Sequence, residues 1–323
     1  MRMKGADVRS ISPASVVALS FALLGIAAAA APLAYVPNEK SGTVSIVDTA
    51  TDTVTGEIAT GGRPRGVAAS PDGARLYVSD QATNALLVVD LGRREITAKV
   101  PLGESPEGIE ISRDGRWIAA AVEEANAVAL VDTSADAVVA TIRTQGKNPE
   151  HAAFSPDGRW IYVGAEDGEQ VDVIDVAARR QVDSIAVGKR PRGIGFAPDG
   201  TRAYVACELA STVYVIDVPA RKVVAQIPAD EFSNGVTVAP TGDRVYVSSG
   251  RGASVDMIDT ASNKVVARIP VGQRPWNMAI TRDGAKLYVA NGRSNTVSVI
   301  DTRRLQRVAD VPVGNAPWGV AIP

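Results

Sequence analysis

The sequence predicts an all-β fold, a seven-bladed β-propeller with four antiparallel strands in each blade. Three observations predict it. A repeat of about 42 residues runs through most of the chain, each repeat contains short alternating segments joined by turn signals, and incomplete repeats at the two ends complement one another. The same observations predict that the ring is closed by the C-terminal strand, which joins the N-terminal strands.

One aspartate in each unit marks the repeat. It ends a predicted strand at successive spacings of 42, 42, 43, 42, 42 and 42 residues. The positions are Asp48, Asp90, Asp132, Asp175, Asp217, Asp259 and Asp301. A period of this length is typical of a propeller blade.

Within a unit the apolar residues alternate with a period of two. In the unit that begins at Gly62, the segments GVAAS, RLYVS, ALLVVD and EITAKV are short and rich in β-forming residues. SPDG, with proline at the second turn position and glycine at the last, is a type I turn signature between antiparallel strands. Each unit is therefore expected to form a four-stranded sheet.

The two ends supply the seventh blade. Six full units run from about Gly62 to Gly314, preceded by three strand-like segments and followed by APWGVAIP, from Ala316 to Pro323, which resembles only a first strand. We expect 33–62 and 314–323 to form one blade, which removes the sheet edges that an open array would expose.

The first residues differ in kind from the repeats. Basic residues precede an uncharged stretch, Val16 to Ala31, that ends in small residues before Pro32. This pattern predicts a signal peptide over 1–31, removed on export, followed by the propeller over 32–323. The protein is then periplasmic or secreted and not bound to a membrane, although an uncleaved anchor remains an alternative.

Composition narrows the function classes. Charged residues are 22% and hydrophobic residues 46%, with a net charge of −2, so there is no electrostatic reason to expect nucleic acid as a partner. Cys207 is the single cysteine and lies in a predicted strand, which rules out an intramolecular disulfide and favours a buried apolar role.

The repeats resemble a known family. The segment LYVANGRSNTVSVIDT, from Leu287 to Thr302, resembles the YVTN-type β-propeller repeat, with YVAN at Tyr288–Asn291 and variants of it in the other blades. The layout, a leader followed by seven such blades, is similar to exported propellers associated with PQQ-dependent alcohol catabolism. This resemblance implies an accessory role in PQQ-dependent alcohol oxidation, with PQQ as a candidate bound ligand.

Searches for catalytic motifs assign no catalytic residue and no metal ligand. The chain has no glycine-rich phosphate loop, no cysteine pair, no haem-attachment motif and no nucleophile elbow, and His151 is its only histidine. The repeated aspartates are expected to accept hydrogen bonds from the following turn. Because they recur in every blade they are interpreted as structural, and a functional site is sought where the blades differ.

The blades differ just before and within the first strand, at the mouth of the central channel. The residue after the repeated proline is an arginine, a glutamate, an asparagine or a tryptophan, and the next residue is glycine except in the third and sixth blades. The predicted ligand-binding residues are Arg65, Glu107, Glu150, His151, Arg192, Asn234, Trp276, Asn277 and Trp318.

Two interpretations of this ring remain. In one, glutamates and arginines neutralise each other and the tryptophans plug the channel. In the other, tryptophan faces and guanidinium groups bind a small anionic aromatic ligand or a protein partner. The sequence therefore predicts an exported, non-catalytic binding module. The alternative is a metal-dependent lactonase or hydrolase using Glu107, Glu150 and His151, against which the neighbouring arginines argue.

Overall fold

The structure is a computed structural model that describes Met1 and residues 32–323. The predicted signal peptide, 1–31, lies outside the described residues apart from Met1. Over 32–323 the chain forms 27 strands and a single short 3₁₀ helix, Glu166–Gly168, so the all-β prediction is confirmed. In this part of the chain no helix has the length and apolar character needed to cross a membrane.

The strands follow the repeat, four to a blade in blades 1 to 6. The first three strands are β1 (Leu33–Asn38), β2 (Thr43–Asp48) and β3 (Thr53–Ala59). Blades 1 to 3 contain β4 (Pro64–Ala69), β5 (Arg75–Asp80), β6 (Ala85–Asp90), β7 (Glu95–Pro101), β8 (Pro106–Ile111), β9 (Trp117–Val122), β10 (Ala127–Asp132), β11 (Ala137–Arg143), β12 (Pro149–Phe154), β13 (Trp160–Ala165), β14 (Gln170–Asp175) and β15 (Arg180–Ala186). Blades 4 to 6 contain β16 (Pro191–Phe196), β17 (Arg202–Cys207), β18 (Thr212–Asp217), β19 (Lys222–Pro228), β20 (Ser233–Val238), β21 (Arg244–Ser249), β22 (Ser254–Asp259), β23 (Lys264–Pro270), β24 (Pro275–Ile280), β25 (Lys286–Asn291), β26 (Thr296–Asp301) and β27 (Gln306–Pro312).

Burial within a blade explains the sequence pattern. The two middle strands lie between neighbouring blades and are buried on both faces, as β5 and β6 show, so they are nearly continuous apolar runs. The outermost strand has one face in solvent and alternates, as in KVVAQIP of β19. This alternation is the period-two signal that predicted strands.

Seven apolar clusters hold the ring together, one at each interface between neighbouring blades. The cluster between blades 6 and 7 includes Tyr288 and Val36, and the one between blades 7 and 1 includes Tyr35 and Leu76. Because the chain ends are bridged in the same way as every other pair of blades, the predicted closed ring of seven is confirmed.

The C-terminal segment completes blade 7 along β1. It pairs through two antiparallel bridges, Tyr35 with Ala321 and Asn38 with Pro317. Trp318 N also donates to Pro37 O at 3.0 Å. The innermost strand of blade 7 therefore has fewer regularly paired residues than the innermost strands of blades 1 to 6. It lies beside β1, as expected from the sequence.

The repeated aspartates cap the turns that follow their strands, as predicted. Asp48 Oδ1 accepts a hydrogen bond from Ala50 N at 2.7 Å, and Asp175 Oδ1 accepts one from Ala178 N at 2.8 Å. The remaining aspartates make the same contact within two or three residues. Their role is local and structural.

The glycine near the start of five of the seven innermost strands has a packing reason. At Gly66 an added Cβ would lie 2.5 Å from the carbonyl oxygen of Glu107, on the innermost strand of the next blade. The innermost strands therefore approach closely around the channel. The first residues of these strands, which include the repeated proline, lie at one end of the channel. We call this end the mouth.

Candidate functional site: the channel mouth

A cavity of about 440 Å³ opens at the mouth and takes side chains from all seven blades. Eight of the nine residues predicted from the sequence line it: Arg65, Glu107, Glu150, Arg192, Asn234, Trp276, Asn277 and Trp318. These eight come together because each lies at the second or third position of an innermost strand, or at the corresponding position of the C-terminal segment.

His151 does not line this cavity. Its Nδ1 accepts a hydrogen bond from Ile194 N, at 3.3 Å, on the innermost strand of blade 4. Burial lowers the pKa of His151 to about 4 and outweighs the opposing effect of Glu150. The imidazole is therefore neutral near pH 7, and one of its two nitrogens is already engaged by the backbone.

The side of the mouth formed by blades 1 to 4 is ionic. Arg65 Nη1 lies 2.5 Å from Glu107 Oε1, and Arg192 contacts Glu150. In both pairs the arginine and the glutamate come from neighbouring blades, with the glutamate 1–9% exposed. The expected juxtaposition of the two glutamates with flanking arginines is present, and the pairing crosses the blade boundaries.

A second ring of residues, four of which are glutamates, was not predicted from the sequence and extends this ionic region. It consists of the residues that directly follow the second strand of a blade, or β1 in blade 7: Glu39, Gln81, Glu123, Glu166, Glu208, Gly250 and Gly292. The sequence contains a signal for this second ring, because the residue at this template position is acidic or carries an amide in five blades and is glycine in two.

Glu208 shows how strongly this ring is engaged. Only 1% of its side chain is exposed, and it contacts Arg192 at 3.2 Å, Arg190 at 3.3 Å and Arg274 at 2.9 Å. Arg190 and Arg274 precede the repeated proline and have left-handed backbone conformations, with φ of 60° and 54°. Only the residues after that proline were predicted, so these arginines were missed.

The opposite side of the mouth is aromatic. The rings of Trp276 and Trp318 lie 6.5 Å apart between centroids with an interplanar angle of 51°, and Arg274 lies 6.0 Å from the Trp276 ring. Gly292 makes room for this arrangement, since a Cβ there would lie 2.9 Å from Trp276 Cζ3. Gly250 and Gly292, the two glycines of the second ring, therefore leave the space that Arg274 and Trp276 occupy.

Asn234 lies between the ionic and aromatic sides in the order of the blades. Its side chain is 5% exposed, and within residues 32–323 its Nδ2 has no hydrogen-bond partner. A buried amide nitrogen without an acceptor is costly, by roughly 1–3 kcal/mol. The cavity wall therefore offers a ligand an unused donor.

Burial shifts the titration of the glutamates. For Glu107, burial and then the neighbouring Glu150 raise the pKa far above its usual range, and Arg65 only partly offsets them. For Glu166 the same two causes raise the pKa, against Arg192 and Arg190. The pKa of Arg192 is raised because three glutamates outweigh the effect of burial. The arginines stay charged, while some of the carboxyl groups are protonated near neutral pH.

The lactonase alternative requires a group of side chains that could hold a metal ion. Among residues 32–323, no three or more His, Cys, Asp or Glu side chains are grouped so that they could hold an ion. Glu107 and Glu150 each contact an arginine, and His151 faces the backbone of blade 4.

Two family models match, each over slightly less than half of the chain. One, described as a lactonase-type seven-bladed β-propeller, matches residues 177–318, and the other, described as a YNCE-like β-propeller, matches residues 6–152. The chain is a seven-bladed β-propeller. The lactonase-type match includes Trp276 and Trp318 but not Glu107, Glu150 or His151.

Solved structures with the same architecture accompany these matches. A chain of Kuenenia stuttgartiensis hydrazine synthase is 27% identical with a TM-score of 0.76, covering 83% of this chain and 92% of that chain. A functionally unknown protein from Desulfotomaculum acetoxidans is 18% identical with a TM-score of 0.81, covering 90% and 99%. A putative 6-phosphogluconolactonase from Bacteroides uniformis is 18% identical with a TM-score of 0.75, also covering 90% and 99%. The last two show the fold alone, and no curated protein sequence matches.

Proposed function

We propose that this propeller is a non-catalytic binding module whose mouth binds a small, flat, anionic ligand. The observation that carries the proposal is that the mouth has an aromatic side and an ionic side. Trp276 and Trp318 offer aromatic faces, the buried Asn234 amide nitrogen has no acceptor among residues 32–323, and arginines lie within the same cavity. An aromatic carboxylate matches all three features.

The charge balance of the cavity sets a condition on such a ligand. Every arginine near it already contacts a glutamate. An anion is therefore bound most easily when burial keeps Glu107 and Glu166 protonated, because the arginines then exceed the ionised carboxylates. Affinity for an anion should increase as the pH falls.

PQQ is one ligand of this class, since it is planar and carries several carboxylates. The aromatic side of the mouth suits the planar ring system, and the arginine cluster suits the carboxylates. An accessory role in PQQ-dependent alcohol oxidation, in the periplasm or after secretion, is a further part of the proposal. It rests on the resemblance of the repeats and on the predicted leader at 1–31. A protein partner at the mouth is the competing occupant.

A thermal-shift and calorimetric titration with PQQ and with naphthalene-dicarboxylate tests the proposal. We expect wild type to bind, Trp276→Leu to lose at least tenfold in affinity, and Trp117→Leu to behave as wild type. Trp117 is the matched control because it starts β9 and stacks on Arg116, outside the cavity. The absence of binding by wild type, or equal affinities for all three proteins, rejects the ligand proposal.

The second candidate is hydrolysis of a lactone, and the lactonase-type family match favours it. Glu107 and Glu150 would be its acidic groups. Metal analysis of the purified protein, followed by lactone-hydrolysis assays with and without chelator, decides between the two. Hydrolysis that Glu107→Gln abolishes would establish the enzyme, whereas no metal and no hydrolysis would reject it.

A further inference from the structure

The far end of the channel, where the innermost strands finish, carries one acidic residue that the mouth site does not use. At the next-to-last position of these strands, blade 2 has Glu110. The corresponding residues in the other blades are Ala68, Ala153, Gly195, Thr237, Ala279 and Ala321. Six blades fold with a small residue here, so the repeat does not require a carboxyl group at this position.

Glu110 is partly buried and has no cationic partner among residues 32–323. Its Oε2 accepts a hydrogen bond from Phe154 N at 3.0 Å, and no lysine or arginine within residues 32–323 forms an ion pair with it. The buried glutamates of the mouth, in contrast, contact arginines. A partly buried carboxylate that has no cationic partner gains more from binding a cationic group than a carboxylate that already contacts an arginine.

A cavity of about 320 Å³ lies against Glu110 and is separate from the mouth. Its apolar walls include Ile111, Phe154, Ile194 and Phe196. The Phe196 ring is held by Tyr162 at a centroid distance of 4.9 Å in an edge-to-face contact. Of the seven residues that end the innermost strands or occupy that position in blade 7, only Phe154 and Phe196 are aromatic. The two aromatic rings thus stand on the two blades that follow Glu110.

We propose that this second cavity binds a small organic amine, with its ammonium group against Glu110 and its apolar part between Phe154 and Phe196. A carboxylate supplies a charge-assisted hydrogen bond to an ammonium, and aromatic rings add cation–π attraction. The volume of about 320 Å³ suits a molecule with one aromatic or branched aliphatic group. The proposal is independent of ligand binding at the mouth.

Three charged or titratable groups bear on this site. Arg113 also lines the cavity but is exposed, so solvent and salt screen its charge. His151 lies on β12 beside the cavity and is neutral above about pH 4. Burial raises the pKa of Glu110 itself to about 8, which means that it is mostly protonated near neutral pH. Amine binding should therefore displace a proton from Glu110.

Isothermal titration of the protein with phenethylamine tests the proposal, with 2-phenylethanol as the uncharged control. We expect binding at pH 8.5 that weakens about tenfold for each pH unit below 8, and no binding of the alcohol. Near pH 7, titrations in phosphate and in Tris should show the release of about one proton. Glu110→Gln should weaken amine binding at least tenfold at pH 8.5 and remove the proton release.

Two further measurements keep the outcome clear. Glu110→Gln retains an acceptor for Phe154 N, so its melting curve should stay cooperative. Phe196→Leu should weaken binding several-fold without changing proton release. No binding of the amine by wild type, equal binding of amine and alcohol, or undiminished binding by a folded Glu110→Gln variant each overturns the proposal.

Discussion

Tyr35 and Ala321 exchange two backbone hydrogen bonds, Tyr35 N to Ala321 O at 2.9 Å and Ala321 N to Tyr35 O at 3.0 Å, although 286 residues separate them in sequence. This pair, with the Asn38–Pro317 bridge, fastens the C-terminal segment to β1. Blade 7 depends on it for an innermost strand.

Deleting residues 315–323 should therefore open the ring. The deletion removes the buried side chains of Trp318 and Val320 and exposes the edge of β1. We expect a melting temperature at least about 10 °C lower and rapid cleavage in limited proteolysis. Removing Pro323 alone is the control and should change little. A deletion variant as resistant as wild type would show that closure does not stabilise the ring.

Replacing Glu208 by glutamine should destabilise the mouth. Three arginines would lose their shared carboxylate in a largely buried setting, which we expect to cost about 2–3 kcal/mol of the free energy of unfolding. Glu231→Gln is the control, because its contact with Arg251 is long, 3.9 Å, and exposed. Urea denaturation measures both, and equal stabilities would contradict the importance of the network.

Stability should fall as the pH rises through the neutral range. The folded pKa of Glu110, about 8, lies above its value in the unfolded chain, so the folded state holds a proton that the unfolded state has lost. This contribution is fully present below about pH 4.5 and is lost as the pH approaches 8, at up to about 1.4 kcal/mol per pH unit. Glu107 and Glu166 act in the same direction.

The matched comparison for this pH effect is Glu110→Gln. Urea midpoints measured from pH 5 to pH 8.5 should show a shallower decline in the variant than in wild type. Parallel curves would mean that Glu110 ionises in the folded protein as easily as in the unfolded chain.

Gly292→Ala should disturb the aromatic side of the mouth. The new Cβ would lie 2.9 Å from Trp276 Cζ3, so the indole ring has to move. We expect the affinity for aromatic carboxylates to fall with little loss of stability, and Gly92→Ala, in a turn outside the cavity, to leave it unchanged. Unaltered affinity in Gly292→Ala would show that the Trp276 orientation is not used in binding.

Cys207 should be unreactive in the folded protein. It is fully buried, and burial raises the pKa of its thiol to about 12, so little thiolate exists at pH 8. Iodoacetamide labelling followed by mass spectrometry should therefore proceed only at the rate of unfolding. Fast labelling of the native protein would contradict this burial.

The repeat made most of the fold predictable. Turn aspartates such as Asp48 and the alternation in the outer strands depend on contacts within one blade, which recur in each unit. The seven residues that follow the repeated proline, or its counterpart in blade 5, line one cavity because the template fixes where an innermost strand begins.

The pairing at the mouth was less predictable, because it depends on contacts between blades. Glu208 contacts arginines from two blades. It follows the second strand of its blade, whereas the predicted residues lie near the start of the innermost strands. His151 shares a template position with glycines, but its side chain bonds to the next blade and does not line the cavity. Side-chain direction at such a position follows from packing rather than from sequence spacing.

The four tryptophans fall into two pairs that differ in their spectroscopic surroundings. Of the four indoles, Trp276 and Trp318 face each other at 6.5 Å in the mouth, whereas Trp117 and Trp160 each stack under an arginine at 4.6 Å. Two indoles at such a separation and tilt couple their electronic transitions, so the pair should give an exciton signal in far-ultraviolet circular dichroism. An aromatic ligand bound between the two rings would change that signal. Trp117 and Trp160 do not line the cavity and would serve as an internal reference.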